Sequence, residues 1–378
     1  MIENSRIKKR KLKKIKAIIS GGGTGGHIYP ALAVANELKK CSKAHDLLFV
    51  GAQGKMEMQH VPAAGYPIVG LWISGIQRKK FLKNVLFPLK LIVSLGKARK
   101  IIRNFQPDVV VGTGGYASGT IVYVATQMKI PTLILEQNSF AGLTNKLLAK
   151  WVDKICVAYE HMDQYFSAEK MVLTGNPVRS DISKLTKRKQ AALAYFGLQP
   201  EKKCLLVLGG SLGARTINES ILQAMPTFSQ AGIQLIWQTG HLYHEEVKVQ
   251  CTKANHRGIA AYPFLERIDL AYAAADVVIA RAGALTIAEL CLAQKPVIFV
   301  PSPNVTEDHQ TKNVQPLVDQ GAALLMKDEV ARQKLGEKTM QLLRDKARQK
   351  ELAHRIARFA KPNAIHEIVG EIIRLARV

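Results

Sequence analysis

From residue 16 to residue 174 the chain repeats one rhythm. A short, mostly apolar run is followed by a turn of small residues, then by a longer stretch whose apolar positions recur every three or four residues. Continuous apolar runs of strand length suit strands covered on both faces, and the longer stretches carry the helical period. The runs at 16–20, 47–50, 109–112, 132–136, 154–157 and 171–174 are predicted strands, with helices such as 31–40 and 92–104 between them. Such βαβ alternation implies a parallel sheet. The rhythm breaks at Gly175-Asn176-Pro177-Val178-Arg179, and 180–190 is polar and basic. It restarts at 203–208, with further strands predicted at 234–238, 258–261, 277–280 and 296–300. The last segment, 364–378, carries Ile365, Ile368, Val369, Ile372 and Ile373 at helical spacing and reads as an amphipathic helix. The expected architecture is α/β: two doubly wound Rossmann-like domains whose strand carboxyl ends face a common cleft, where ligands belong.

The turns carry the chemistry. After the first strand, Gly21-Gly22-Gly23-Thr24-Gly25-Gly26-His27 puts five glycines in six residues in front of a helix. A backbone this bare can aim N–H groups at an oxyanion, aided by the positive end of the helix dipole. Gly21, Gly23 and Gly26 satisfy the dinucleotide fingerprint G-x-G-x-x-G, but the acid that should end the second strand is missing. That strand ends in Gly51, and Asp46 sits at its other end. A nicotinamide cofactor is therefore not expected. His27 lies outside the fingerprint, and an imidazole at such a loop points to proton transfer.

Composition narrows the class. A chain of 378 residues exceeds the size at which one core usually divides. Its five cysteines are scattered without metal-ligand spacing, which argues against a zinc or disulfide framework. The basic N-terminal residues run into the glycine loop with no apolar h-region, so an export signal is not expected. The net charge of +25 is partly a tail, because eight of the eleven residues from Arg6 to Lys16 are Lys or Arg. Nucleic-acid signatures are absent and aromatic residues make up only 6%. The stretch 79–93 instead interleaves lysines with Phe81, Leu82, Val85, Leu86, Phe87, Leu89, Leu91, Ile92 and Val93, the pattern of an interfacial segment. An anionic membrane surface is the expected partner, and nucleic acid is not. The ordinary reading of the same stretch is a core helix with a solvated lysine face.

Several further turns follow strands. Gly112-Thr113-Gly114-Gly115-Tyr116 could pair with the first loop to hold a diphosphate, or be a tight packing turn. Glu136-Gln137-Asn138-Ser139 places hydrogen-bonding side chains past a strand end, and Arg179 follows another. Ala280-Arg281-Ala282-Gly283 runs from a buried strand into a helix whose start suits a nucleotide diphosphate, with Glu289 one turn on for a ribose diol. Gln310 stands in a polar cluster after the next strand, where sugar recognition competes with helix capping. No D-x-D pair occurs, so the usual carboxylate grip on a metal–nucleotide complex is missing.

Taken in order, GGGTGGHIYPALAVA, VVVGTGGYASG, EQNSFAGLTN, TGNPVR, GGSLGAR, ARAGALTIAEL and PSPNVTEDHQTKN resemble the successive motifs of the MurG family of N-acetylglucosaminyltransferases. The resemblance runs from about Lys16 to the C-terminal helix and leaves out the basic tail. It implies a GT-B fold: a tail at 1–15, an acceptor and membrane-facing domain at 16–180, a UDP-sugar domain at 181–361, and a helix at 362–378 returning to the first domain. It implies UDP-N-acetylglucosamine as donor and lipid I, the undecaprenyl-diphosphate-linked N-acetylmuramoyl-pentapeptide, as acceptor. Transfer would be inverting, with no metal and no cofactor, by a peripheral enzyme on the cytoplasmic face of the bacterial inner membrane. A cell-wall synthesis complex is a candidate partner. His27 is the implied base. The implied donor contacts are Thr24, Gly25, Gly26, Asn138, Arg179, Ser211, Leu265, Ala284, Leu285, Thr286, Ile287, Ala288, Glu289 and Gln310. Gly22, Gly23, Gly114, Gly115 and Tyr116 would cradle the acceptor diphosphate. The nearest rival is a related diacylglycerol glycosyltransferase; a sugar-nucleotide epimerase and a nonenzymatic nucleic-acid-binding protein are further ones.

Overall fold

The structure is a computed structural model that describes residues 14–75, 85–178, 182, 189–210, 212–253 and 258–377. Two parallel sheets organise it. The first contains β1 (Lys16–Gly21), β2 (Asp46–Ala52), β3 (Ile68–Leu71), β4 (Val109–Gly114), β5 (Thr132–Glu136), β6 (Lys154–Val157) and β7 (Met171–Leu173). The second contains β8 (Cys204–Leu208), β9 (Gln234–Gln238), β10 (Ile259–Tyr262), β11 (Val277–Ala280), β12 (Val297–Phe299) and β13 (Leu324–Leu325). Their spatial orders are β3-β2-β1-β4-β5-β6-β7 and β10-β9-β8-β11-β12-β13. In each, the first strand of the unit pairs on both sides: Ile19 stands beside Phe49 and Val111, and Val207 beside Trp237 and Ile279. Strand order therefore reverses between β1 and β4, and again between β8 and β11. At such switch points the connecting helices leave to opposite faces and open a crevice.

Burial explains the apolar runs. Ala17, Ile18, Ile19, Val109, Val110 and Val111 are fully buried, because helices cover both faces of the sheet. Two short strands escape the hydrophobic pattern. β3 contains Gly70, and β13 is only two residues long; both lie at sheet edges, where packing demands least.

The helix after β1 begins six residues before its predicted start and runs Gly25–Cys41, with Pro30 inside it. Ile28 and Pro30 are buried there, and tertiary packing outweighs the poor propensity of that first turn. The final helix, Ala364–Leu375, does not cover the domain that precedes it. Ile365, Ile368, Val369 and Ile372 join Ile15, Ala17, Ile19, Val34 and Leu38 in one core on the first sheet.

Candidate functional site

Both switch points carry their glycine turns at the carboxyl ends of the strands, and the turns support one another. Gly22 N donates to Gly114 O (3.3 Å), which joins the turns after β1 and β4. Glu57, fully buried at the start of helix Glu57–Ala63, reaches under the first turn. Its Oε2 accepts from Gly23 N and its Oε1 from Ala52 N, both at 2.9 Å. A Cβ on Gly22 would stand 2.0 Å from Glu57 Oε1, so this glycine is needed to admit the carboxylate. The first-turn amides are therefore occupied. Two of the N–H groups expected to face a diphosphate are thus bonded within the chain, Gly22 N to a carbonyl and Gly23 N to a carboxyl oxygen. The helix N-termini at Gly25 and Gly26, and at Tyr116 after Gly115, carry no side-chain cap.

His27 sits in the first turn of helix Gly25–Cys41, with its ring against Gly114. A Cβ on Gly114 would lie 2.4 Å from His27 Nδ1, and its φ of 109° also excludes most L side chains. Nδ1 is enclosed with no hydrogen-bond partner among the described residues. The residue itself is partly exposed, which leaves Nε2 as the nitrogen that a hydroxyl can reach. Burial holds the imidazole below its ordinary pKa. The Thr113 backbone pulls the other way, His309 adds to the lowering, and Glu57 opposes it. His27 is thus neutral at physiological pH, the form that can accept a proton.

A chain of hydrogen bonds runs from this histidine to the second domain. Thr113 Oγ1 donates to His27 O (2.7 Å), and Gln137 Nε2 donates to Thr113 O (2.7 Å). Asn176 Nδ2 then donates to Gln137 O (3.0 Å) and to Ala284 O (3.4 Å). Ala284 opens the helix Ala284–Ala293, whose N-cap is Gly283 and whose first turn has no acidic residue. Its first amides are uncapped by any side chain and suit an anion. Ala284, Leu285, Thr286 and Ala288 are partly exposed there, whereas Ile287 is buried in the second domain's core.

One turn on, Glu289 Oε2 accepts from the hydroxyl of the fully buried Tyr272 (2.9 Å), which fixes the carboxylate's orientation. Leu265, buried, already donates its backbone N–H to Gln238 Oε1 (3.1 Å). Only its carbonyl can therefore serve a base edge. Gln310 Oε1 accepts from Ser302 N (2.8 Å), which holds that side chain beside the turn after β12. Arg281 is tied to its own domain through Nη1, which is bonded to Val300 O, Pro301 O and Asp328.

A second tie crosses the cleft at Asn138. The fully buried Asn313, on helix His309–Asp319, donates Nδ2 to Asn138 Oδ1 (3.0 Å). Its own Oδ1 accepts from Ser139 N (2.9 Å) and Ser139 Oγ (3.1 Å). Asn138 Nδ2 in turn donates to Glu136 Oε1 (3.3 Å). Glu136 is buried, and burial raises its carboxyl pKa against the hydrogen bonds from Gly142, Asn145 and Asn138. Tyr29 and Phe264 stack across the same boundary with centroids 6.5 Å apart.

Among the sequence-predicted residues, His27, Thr24, Gly25, Gly26, Asn138, Ala284 to Glu289 and Gln310 thus fall on strand-end turns or helix starts at the carboxyl ends of the two sheets. Arg179 and Ser211 lie outside the described residues. Sequence reasoning missed Glu57 and Tyr272, and it gave Thr113, Gln137, Asn176 and Asn313 no individual role in the site. Thr113, Gln137, Asn176 and Asn313 stand inside the quoted motifs, and Gln137 also belongs to the run of hydrogen-bonding side chains past the end of β5.

Comparison with known proteins agrees with this geometry. The glycosyltransferase family 28 N-terminal domain matches residues 17–157, and the glycosyltransferase family 28 C-terminal domain matches 204–368. A UDP-N-acetylglucosamine–N-acetylmuramyl-(pentapeptide) pyrophosphoryl-undecaprenol N-acetylglucosamine transferase from Flavobacterium psychrophilum is 51% identical over 364 residues, 96% of this chain and 98% of its own. The like-named protein of Bacteroides thetaiotaomicron is 50% identical over 96% of this chain and 98% of its own. The crystal structure of Acinetobacter baumannii MurG superposes with a TM-score of 0.76 at 28% identity, covering 95% of this chain and 99% of that one. A UDP-GlcNAc 2-epimerase from Neisseria meningitidis shares the fold alone, with a TM-score of 0.65 at 16% identity over 96% of this chain and all of its own. The two-sheet architecture is that of the GT-B fold.

Proposed function

The chain belongs to the MurG family within glycosyltransferase family 28, and on that premise we propose that its cleft moves N-acetylglucosamine from UDP-N-acetylglucosamine to the 4-hydroxyl of lipid I, giving lipid II for peptidoglycan. One observation carries the mechanism: the hydrogen-bond chain from His27 through Thr113, Gln137 and Asn176 to Ala284. It ties the backbone of His27 in one domain to the open helix N-terminus in the other.

In this reading the UDP diphosphate lies against the start of helix Ala284–Ala293, and Glu289, oriented by Tyr272, holds the ribose diol. The Leu265 carbonyl faces the uracil, and Asn138 and Gln310 hold the sugar. Arg179 and Ser211 serve the phosphate region. The acceptor diphosphate lies at the turn Gly114-Gly115-Tyr116, and Thr24, Gly25 and Gly26 touch the donor across the cleft. As His27 Nε2 removes the proton, the 4-oxygen attacks the anomeric carbon from the face opposite UDP. The new glycosidic bond forms while the bond to the β-phosphate oxygen breaks, and that oxygen keeps the electron pair. The helix amides meet the developing charge. No step draws on a metal or a cofactor.

Transfer of labelled sugar from UDP-N-acetylglucosamine to a lipid I analogue tests the reading. The Glu289→Ala variant should raise KM for the donor about 10- to 100-fold, the worth of charge-assisted bonds to a diol. Absence of transfer by the unaltered protein would falsify the assignment.

Membrane docking belongs to the same proposal. Val85, Leu86, Leu89, Ile92 and Val93 are exposed at and before the start of helix Phe87–Phe105, beside the exposed Trp72. Lys90 Nζ lies 5.7 Å from the centroid of the Trp72 ring. Apolar area bordered by lysines suits an anionic bilayer. Residues 79–84 of the segment and the tail before residue 14 lie outside the described residues. No helix among the described residues is long and apolar enough to cross a membrane. The double substitution Leu89→Glu with Ile92→Glu should reduce sedimentation with phosphatidylglycerol vesicles at least several-fold. Unchanged binding would remove this patch from the membrane contact.

A further inference from the structure

Phe140 follows the Ser139 that meets Asn313 from the second domain. Two lysines stand over its ring. Lys146, on helix Leu143–Leu148 of the first domain, has Nζ 4.2 Å from the ring centroid. Lys312, on helix His309–Asp319 of the second, has Nζ 4.0 Å from the same point. Tyr165 closes the cluster, edge-on to Phe140 at 5.5 Å and with its centroid 4.4 Å from Lys146 Nζ. The two ammonium groups are therefore at most about 8 Å apart, within one Debye length at physiological ionic strength.

Neither lysine forms an ion pair among the described residues. Asp308, one turn before Lys312, instead accepts from Thr311 Oγ1 (2.8 Å). An aromatic face attracts each cation separately, yet the two like charges repel, and an anion within reach of both relieves that repulsion. The charges come from opposite domains, so the pair is assembled only when the domains meet as they do here. Phe140 and Lys146 follow β5 in the domain that resembles the acceptor side, Lys312 comes from helix His309–Asp319 of the other, and the open helix start proposed for the donor diphosphate is at Ala284.

We propose that Lys146 and Lys312, converging on Phe140 from the two domains, form a carboxylate subsite for the peptide part of the acceptor. This rests on the transferase reading above, in which the acceptor carries a pentapeptide with a terminal carboxylate. The subsite would add recognition at a distance from the reacting hydroxyl and would favour acceptors whose peptide is intact.

The test is steady-state transfer by the unaltered protein, Lys146→Met, Lys312→Met and the double variant. Each is measured with a lipid I analogue bearing free peptide carboxylates and with one whose carboxylates are converted to amides. The double variant should raise KM for the free-carboxylate acceptor about 10-fold, bringing it level with that for the amidated acceptor. The unaltered protein should itself prefer the free carboxylates by a similar factor, and arginine at both positions should restore much of the preference. Equal losses on both acceptors would assign the lysines to the diphosphate or to domain packing and overturn the proposal. A raised KM for UDP-N-acetylglucosamine alone would overturn it as well. If the unaltered protein uses neither acceptor, the transferase reading falls too. That pattern differs from two used acceptors that the variants do not distinguish.

Discussion

Replacing His27 with alanine is expected to lower kcat for sugar transfer by about 10²- to 10⁴-fold, the usual contribution of a positioned general base, while the donor still binds. The expectation rests on three features of the ring. Its Nδ1 is enclosed against Gly114, its remaining nitrogen is the one a hydroxyl can reach, and burial keeps it neutral. Neutrality sets the sign of the pH dependence. Activity needs the deprotonated ring, so kcat/KM should hold through neutral pH and fall only as pH drops through a pKa below that of free imidazole. The His27→Gln variant should lose that acid limb along with the rate, because glutamine does not titrate. Near-normal turnover in either variant would leave His27 as a hydrogen-bonding group and place the base elsewhere.

The same shift has a consequence for stability. The folded chain resists protonation of His27, whereas the unfolded chain accepts a proton near the ordinary imidazole pKa. Stability from this group is complete above the unfolded pKa and declines as pH falls below it. His45 acts in the same direction. It is fully buried, its Nδ1 accepts from Ile15 N (3.1 Å), and burial, with Lys39 and Arg377, lowers its pKa. Protonating it would remove the acceptor that Ile15 N uses.

The second large effect is expected at Glu57. Its alanine variant should lose about 2–4 kcal/mol of stability, since the buried Ala52 N–H and the part-buried Gly23 N–H lose their acceptor and a cavity opens beneath the glycine turn. Transfer should be nearly abolished as well, because Gly23 and Ala52 would no longer be tied together and the turn that presents His27 would lose its floor. Denaturant unfolding and the transfer assay measure the two effects separately. The Glu57→Gln variant fills the space, but its amide NH2 turns a donor toward one of the two N–H groups, so an intermediate loss is expected. An alanine variant with unaltered stability and rate would show that the turn holds itself, through the bond from Gly22 N to Gly114 O.

Much of this site is legible in the amino-acid sequence alone. The strand–turn–helix pattern around Gly21–His27 and around Ala280–Glu289 is local, because a buried strand, a small-residue turn and a helix start lie within one stretch of chain. Glu289 can be singled out for that reason: its distance from the helix start is a matter of helical pitch. The same kind of reading fails for Glu57. Nothing in its neighbourhood announces that its carboxylate reaches back under a turn more than thirty residues earlier. Nor does it show that the N–H groups of Gly22 and Gly23 have partners within the chain. A run of glycines shows where a backbone is bare, but not which of its amides another part of the chain has already bonded.

The sequence by itself determined two α/β units, the glycine turns at their strand ends, and the family that the ordered motifs resemble. These follow from hydrophobic period and turn chemistry, which act over a few residues. Only the tertiary structure decided how His27 is held neutral, how Thr113, Gln137 and Asn176 link it to Ala284, and which lysines meet over Phe140. Burial and directional hydrogen bonds depend on groups far apart in the chain, and they take their values only once the two domains have packed.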